Sequence, residues 1–185
     1  VLDILASNGA KASFFVLGRE VEKHPGLLQR AIAQGHEIGI HGWIHERLPV
    51  LNDEKEEQRL LDQSLETLTK LMGKRPVGYR APSWKFSNYT LAQIKAAGFL
   101  YDSSLMASDD AYEINLDGQP TGLVELPIER IVDDAPYFGA ADGSMPSPEH
   151  VLEVFTSEFD VAWEERGLYV LTMHPHIMGH RSRVA

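Results

Sequence analysis

The sequence predicts an α/β fold in which parallel strands are joined by helical crossovers. Short apolar segments typical of buried strands alternate with segments of helical spacing, and the connections between them are short. Clusters of polar side chains come directly after four of the predicted strands. In a (β/α) barrel the C-terminal ends of the strands meet at one face, whereas an open doubly wound sheet gathers them in a crevice. The pattern is compatible with both arrangements.

Six strands are predicted from short apolar runs bounded by turn residues. They cover residues 11–17, 36–40, 76–80, 99–103, 123–128 and 168–173. Five helices are predicted from apolar residues at helical spacing. They cover residues 1–7, 19–34, 52–72, 87–97 and 147–166. The two remaining long segments, residues 106–121 and 133–146, are predicted to be surface loops.

In chain order, the first helix ends at Asn8-Gly9, because these residues tolerate the left-handed conformation. Pro25 suits a first helical turn and so interrupts the second helix. Asn52 or Asp53 begins the third helix, which has a leucine face and an acidic face. Ser87 begins the fourth helix and Ser147-Pro148 the fifth, in the arrangement with a serine cap and a proline in the first turn.

Composition limits the classes of function. The chain has 185 residues, 43% of them hydrophobic and 24% charged, with a formal net charge of −10. It has no Lys/Arg-rich run, so neither nucleic acid nor an anionic membrane surface is an expected partner. No apolar run reaches the roughly 18 residues of a membrane-spanning helix. Because there is no cysteine, any metal must be bound by His, Asp, Glu or water.

Two histidines, His41 and His45, follow the second predicted strand and are separated by three residues. Neutral imidazole is a common ligand of zinc and related divalent metals, so the pair could form half of a metal site. The spacing alone is also compatible with ordinary surface histidines. Three later strands are followed by further polar clusters. These are Arg80-Ala81-Pro82-Ser83-Trp84, Tyr101-Asp102-Ser103-Ser104 and His174-Pro175-His176.

Together these motifs resemble the polysaccharide deacetylases, the family-four carbohydrate esterases. The resemblance rests on residues 12–18, 35–45, 80–82, 101–104 and 171–174, which occur in the order of the family's motifs. It implies a distorted (β/α) barrel of parallel strands with fewer than eight strands. It also implies hydrolysis of a non-peptide carbon–nitrogen bond, as in deacetylation of an N-acetylated amino sugar of the peptidoglycan or chitin type. A divalent metal, with zinc expected, is the implied cofactor.

The resemblance also implies roles for individual residues. His41 and His45 match the two metal-binding histidines of the family. Arg80 matches the arginine that orients the catalytic aspartate, and His174 matches the general acid for the leaving amine. An aspartate often supports that histidine in the family, and Asp102 is the candidate for this role.

Further residues are candidates for contact with the substrate. Pro82 and Trp84 match family positions that line the groove. The rings of Trp43, Tyr137 and Phe138 could stack on a sugar or form the wall around a small cyclic substrate. The neighbouring acids, Asp133 and Asp134, are interpreted as loop or helix-capping residues.

The sequence departs from the family pattern in two places. The first motif of the family, a strand that ends in paired aspartates, has no match and is expected upstream of Val1. One of those aspartates is the catalytic base and the other completes the metal site. Gly42 stands where the family more often has serine. We therefore expect residues 1–185 to be a single catalytic domain, incomplete at both ends, whose open sheet edge is covered by additional residues or by a partner in a homo-oligomer.

Two other functions remain open. Val124-Glu125-Leu126-Pro127 and residues 133–138 resemble the branch that contains cyclic-imide hydrolases and allantoinase-like enzymes, so a small cyclic amide is an alternative substrate. The missing aspartates are also compatible with a non-catalytic carbohydrate-binding domain. No signal peptide is visible, which favours a cytoplasmic location, but the location stays open because the start looks truncated.

Overall fold

The computed structural model describes residues 1–139 and 145–184. Its residues cluster into two compact units. The sheet unit comprises Leu2–Ser104 and Tyr112–Glu125, and the C-terminal unit comprises Val1, Leu105–Ala111 and Leu126–Ala185. Residues 140–144 of the predicted 133–146 loop lie outside the described residues, as does Ala185. Within the described part of the chain, no helix is both long enough and apolar enough to cross a membrane.

One six-stranded sheet forms the centre of the sheet unit. Its strands are β1 (Ser13–Val16), β2 (Glu37–Ile40), β3 (Gly78–Tyr79), β4 (Tyr101–Asp102), β5 (Tyr112–Leu116) and β6 (Gln119–Glu125). The spatial order is β1-β2-β3-β4-β6-β5, with β5 antiparallel to β6 and the other pairs parallel. The α/β fold with parallel strands is thus confirmed, and the sheet of the described residues is open, with β1 and β5 at its edges.

The helices of the sheet unit follow the predicted pattern. They are α1 (Leu2–Ser7), α2 (Gly18–Lys23), α3 (Pro25–Ala33), α4 (Leu48–Leu51), α5 (Glu54–Met72) and α6 (Thr90–Ala96). The predicted interruption before Pro25 separates α2 from α3. Asp53 caps α5 by accepting hydrogen bonds from the N–H groups of Lys55 and Glu56, both at 3.1 Å. The leucine face of α5 is buried, as its spacing predicts.

The prediction of a surface loop over residues 106–121 is wrong. These residues contain β5 and the first part of β6, which form a hairpin. Asp117 and Gly118 have φ angles of 52° and 75°, and a two-residue turn with both φ angles positive matches the twist of the flanking strands. The buried side chains of Ile114 and Leu123 bring this hairpin into the core.

Among its described residues, the C-terminal unit contains three α-helices, α7 (Asp134–Phe138), α8 (Pro148–Glu165) and α9 (Pro175–Met178). Ser147 caps α8 as predicted, because its hydroxyl accepts a hydrogen bond from the N–H of His150 at 3.3 Å. Four buried side chains form the core of the unit, namely Val132, Phe138, Val151 and Phe155. The predicted 133–146 loop therefore contains a helix and contributes to this core.

The prediction of a strand over residues 168–173 is also wrong. This segment makes one isolated parallel bridge, between Asp133 and Thr172. A 3₁₀ turn, Arg130–Val132, precedes Asp133 and α7 follows it, so Asp133 is a single extended residue between two helical segments and the pairing with Thr172 does not continue along residues 130–138. The bridge still places residues 132–134 beside residues 172–174.

Candidate active site

The loop after β2 brings His41 and His45 together. The centroids of the two imidazole rings are 5.0 Å apart, and the ring planes meet at 74°. The N–H of His41 donates to the carbonyl oxygen of Val16 at 2.9 Å, which joins the start of the loop to the end of β1. His45 has a left-handed backbone with a φ of 62°. The structure therefore places the two predicted metal ligands side by side.

The hydrogen bond of the His41 ring determines which nitrogen can bind a metal. Nδ1 lies 2.8 Å from the carbonyl oxygen of Arg80. A carbonyl oxygen only accepts, so Nδ1 must carry the proton, and Nε2 is then the unprotonated nitrogen of the neutral ring, the form in which imidazole binds a metal. A histidine that binds a metal commonly donates its other N–H in this way. His41 and His45 therefore fit a divalent metal such as zinc, bound through imidazole nitrogen.

Trp43 lies in the same loop but is buried. Its ring packs on Gly18 at the start of α2, where a side chain would collide with it, and close to Ser64 of α5. The N–H of Arg19 also donates to the carbonyl oxygen of Trp43 at 3.1 Å. Because the ring face is covered by packing, the structure does not support the predicted stacking of Trp43 on a substrate.

Arg80 follows β3 and is held in a fixed orientation. Its Nε donates to the carbonyl oxygen of Ser103 at 2.7 Å, and its Nη2 donates to the Ser103 hydroxyl at 2.6 Å. The guanidinium carbon lies 4.4 Å from the centre of the Phe15 ring. A planar cation oriented in this way is suited to bind a carboxylate, the role that the family resemblance implies.

The turn after Arg80 has an unusual backbone. Ser83 and Trp84 have φ angles of 55° and 57°, within the 3₁₀ turn Pro82–Trp84. A left-handed conformation costs a residue other than glycine about 1–3 kcal/mol, and such strain is concentrated at functional sites. Pro82 is buried and Trp84 half-buried, so Trp84 is the better placed of the two for contact with a substrate. The assignment of both to the groove stays a prediction.

Asp102 belongs to a buried carboxyl network at the ends of β4 and β6. Its oxygens accept hydrogen bonds from the N–H of Ser104 at 3.0 Å and from the Ser104 hydroxyl at 2.8 Å. Glu125, which faces Asp102 across the strands, accepts from the same N–H at 2.9 Å. The Ser104 hydroxyl accepts in turn from the N–H of Ala81 at 2.8 Å. The network thus fixes the backbone next to Arg80.

Burial and the neighbouring carboxyl of Glu125 raise the pKa of Asp102 well above its ordinary value. Both side chains are fully buried, and the repulsion between two carboxylates this close makes ionisation of both unfavourable. A proton held on Asp102 lets it donate to Glu125. Asp102 is therefore placed to support the loop after β3.

In the C-terminal unit, the carboxylate of Asp134 binds the ring of His174. Nδ1 of His174 lies 2.6 Å from one oxygen of Asp134, and the N–H of His174 donates to the other oxygen at 2.7 Å. The bridge at Thr172 sets this geometry, because the N–H of Asp134 donates to the carbonyl oxygen of Thr172 at 3.2 Å. Asp134 thus takes the position supporting His174 that the resemblance implies for Asp102. From the sequence, Asp134 is interpreted only as a loop or capping residue.

Asp133 is the capping residue of this acidic pair. Its side chain accepts a hydrogen bond from the N–H of Ala135 at the start of α7, at 3.2 Å, and burial raises its pKa. Its carboxylate lies 3.6 Å from Nδ1 of His174. Ligand atoms of Asp133, Asp134 and His174 all lie within 4.8 Å of one another, so these three described residues could also hold a cation.

The two predicted aromatic contacts in α7 have different positions. Phe138 is buried in the core of the unit, with the Arg183 guanidinium 3.9 Å from its ring centre, so its ring is not exposed to a substrate. Tyr137 is half-buried and packs against Phe155 with ring centres 5.9 Å apart. Its hydroxyl donates to the carbonyl oxygen of Ile131 at 3.0 Å. Tyr137 remains a candidate for substrate contact, whereas Phe138 is a core residue.

Comparison with known proteins points to one family. Residues 1–101 match the polysaccharide deacetylase family. The chain is 30% identical over 195 residues to a peptidoglycan deacetylase of Helicobacter pylori, an alignment that covers 90% of this chain and 66% of that protein. Its fold matches a crystal structure from Mycobacterium smegmatis assigned to the polysaccharide deacetylases, with a TM-score of 0.88, 35% identity, and coverage of 98% of this chain and 64% of that one.

An allantoinase crystal structure has the same fold. Its TM-score is also 0.88, at 22% identity, and the match covers 99% of this chain and 61% of that one. At this identity the likeness shows the fold alone. The chain spans about two thirds of the length of each of these proteins, between 61% and 66%.

Proposed function

The chain belongs to the polysaccharide deacetylase family, and we propose that it takes part in hydrolysing the acetamide bond of an N-acetylated amino sugar in a polymer or oligomer. A peptidoglycan-type substrate is favoured because the Helicobacter pylori relative is a peptidoglycan deacetylase. The reaction releases acetate and leaves a free amine on the sugar.

The arrangement of His41 and His45 carries this proposal. The two imidazole rings are 5.0 Å apart, and Nδ1 of His41 donates its proton to the carbonyl oxygen of Arg80. This arrangement is more typical of metal ligands than of ordinary surface histidines. A divalent metal would supply Lewis-acid polarisation of the amide carbonyl and activation of water. In the family an aspartate completes such a site, and no residue of this chain matches it.

The remaining roles are assigned to residues of this chain. His174 gives a proton from Nε2 to the leaving amine, because its Nδ1 is held by Asp134. The Asp134 carboxylate selects the tautomer and stabilises the imidazolium form that precedes this transfer. Arg80 fixes the direction of a carboxylate. Trp84 in the sheet unit and Tyr137 in the C-terminal unit are each candidates for contact with a sugar.

Metal binding is the first test. We expect the chain to bind zinc, and His41→Ala to weaken binding by more than about 100-fold, the upper end of what loss of an outer-sphere partner costs. Competition with a chromophoric chelator measures the affinity, and thermal unfolding checks that the variant is folded. His24→Ala, at an exposed histidine on the same unit, is the matched control. Unchanged zinc affinity in His41→Ala would refute the ligand assignment.

The substrate test separates the three functional hypotheses. The protein that carries this chain is incubated with N-acetylglucosamine oligomers, peptidoglycan fragments and a hydantoin-type cyclic amide, and released acetate or opened ring is measured. Acetate release that is lost in His174→Ala supports the deacetylase proposal. Ring opening without acetate release would favour the cyclic-amide alternative. Glycan binding without turnover would favour a carbohydrate-binding domain.

A further inference from the structure

The carboxylate of Glu46 holds the peptide groups between the two histidines. Its two oxygens accept the N–H of Trp43 at 3.1 and 3.0 Å, and Oε2 also accepts the N–H of Ile44 at 3.0 Å. Hydrogen bonds to a charged acceptor are about twice as strong as neutral ones. Glu46 therefore restrains two adjacent peptide groups of the loop.

The space that this carboxylate occupies is available because residue 42 is glycine. A Cβ on Gly42 would lie 2.6 Å from Oε1 and 2.8 Å from Oε2 of Glu46, so the carboxylate would have to move from its present position. Gly42 also has a φ of 77°, in the region that favours glycine. Gly42, where the family more often has serine, thus leaves room for the carboxylate of Glu46 four residues later.

The opposite side of the loop is held by α2. The N–H of Gly18 donates to the carbonyl oxygen of Gly42 at 3.0 Å, and the N–H of Arg19 donates to that of Trp43 at 3.1 Å. The carbonyl groups of the loop are thus bound by the start of α2, and its N–H groups by Glu46. The loop held by these two restraints leads to His45. The left-handed backbone of His45 places its ring beside that of His41.

We infer that Glu46 is a positioning residue for the His41–His45 pair and that Gly42 and Glu46 act as one coupled unit. Without the carboxylate, the N–H groups of Trp43 and Ile44 lose their acceptor and the turn that carries His45 loosens. The two imidazoles then pay an ordering cost before they can bind the same ion. This inference deepens the proposed function and rests on its metal-binding part.

The direct test measures zinc affinity in Glu46→Ala and Glu46→Gln. We expect the alanine variant to bind zinc about 10- to 100-fold more weakly, the range found when a partner outside the ligand sphere is removed. The glutamine variant keeps one acceptor oxygen and should lie between the alanine variant and the native chain. Glu22→Ala, at an exposed glutamate of α2, should bind zinc like the native chain.

Amide hydrogen exchange gives a reading that needs no metal. In the metal-free chain, the N–H groups of Trp43 and Ile44 should exchange faster in Glu46→Ala than in the native protein, whereas the N–H of His41, which binds Val16, should keep its protection. Equal acceleration at all three would indicate general unfolding of the loop and would overturn a specific role for Glu46.

The coupling between Gly42 and Glu46 is tested by a double-mutant cycle. Gly42→Ser should weaken zinc binding because its Cβ collides with the carboxylate. In Gly42→Ser/Glu46→Ala the collision is gone, so the double variant should bind zinc more tightly than the product of the two single effects predicts. Additive effects would overturn the coupling.

The outcomes separate this inference from the proposed function. If the native chain binds no zinc, the metal site fails, and the positioning role fails with it. If the native chain binds zinc and Glu46→Ala binds it equally well, the metal site stands and the role of Glu46 is refuted.

Discussion

Two adjacent aspartates, Asp133 and Asp134, do different work because consecutive side chains point in different directions. Asp133 caps the N-terminus of α7, and Asp134 binds the ring and the backbone N–H of His174. The bond to the backbone N–H holds the carboxylate in place, and the bond to Nδ1 then orients the imidazole, so the ring cannot turn without breaking a charge-assisted hydrogen bond. Asp134 is therefore the residue on which the acid function proposed for His174 depends.

Asp134→Asn should impair turnover of the acetylated substrate far more than it impairs binding. An amide in place of the carboxylate can leave His174 in the wrong tautomer and cannot stabilise its charged form, so we expect kcat to fall on the order of 10²- to 10⁴-fold. The control is Asp133→Asn, because asparagine is an equally good helix cap and should leave kcat within a few-fold of native. Equal losses in the two variants would contradict the division of roles.

The sequence motifs predict where candidate functional residues lie along the chain. They do not predict which of their side chains are exposed. His41 and His45 follow β2 and Arg80 follows β3, as their motifs predict, whereas His174 follows an isolated bridge at Thr172 in place of the predicted strand. The burial of Trp43 and Phe138 could not be predicted, because an aromatic side chain can equally fill a core or face a ligand. The sequence does not identify Asp134 as the partner of His174, because its turn-rich context favours a capping role and the two residues are 40 positions apart in the chain.

At the scale of strands, the carboxyl network joins β4 and β6. Asp102 and Glu125 are partners in the strand register, each is the last residue of its strand, and both accept the N–H of Ser104. The arrangement fixes where the chain leaves the sheet and, through Ala81, the turn that follows β3. Asp102 thus acts through backbone placement.

Asp102→Asn should change how stability depends on pH. The folded-state pKa of Asp102 is raised above its ordinary value of 3.8, so the folded chain binds this proton more tightly than the unfolded chain. Its stabilisation is complete below the unfolded pKa and is lost as pH rises through the folded one, with a limiting slope of about 1.4 kcal/mol per pH unit. Asparagine cannot ionise, so the variant should lack this decline.

Urea unfolding across a series of pH values measures the effect. The control is Asp160→Asn, at an exposed aspartate of α8, which should keep the native pH dependence. A decline of the same slope in Asp102→Asn would show that the proton is bound elsewhere.

Helices and parallel strands were predictable because their signals are local. The caps at Asp53 and Ser147 and the interruption at Pro25 lie where the sequence predicts. The sequence does not predict the β5–β6 hairpin, although Asp117-Gly118 is a recognised hairpin signal, because the many polar and turn residues of 106–121 mask the short alternation of Tyr112, Ile114 and Leu116. The 168–173 segment has a strand pattern, but strand formation also requires a neighbour of matching length, which local sequence does not reveal.

At the scale of the whole molecule, β1 at the sheet edge predicts self-association. The carbonyl groups of Ala12 and Val16 accept from β2, so the alternating residues Ser13 and Phe15 direct their backbone N–H groups toward the edge. Ser13→Pro removes one of these donors and should weaken association about 10-fold, as expected from loss of roughly one hydrogen bond. Sedimentation equilibrium over a concentration series measures it.

The matched control is Ser13→Ala, which loses the same hydroxyl bond to Glu37 but keeps the N–H. It should associate like the native chain. A native chain that stays monomeric over the whole series would rule out this edge as an interface.

The buried proton on Asp102 also alters how the molecule migrates in an electric field. The formal net charge of −10 treats every aspartate and glutamate as ionised. At a pH between 3.8 and the raised pKa, the folded chain carries one negative charge fewer than this count assumes for Asp102. At such a pH the native protein and Asp102→Asn should therefore have the same electrophoretic mobility. Asp160→Asn should carry one negative charge fewer than the native protein and migrate accordingly.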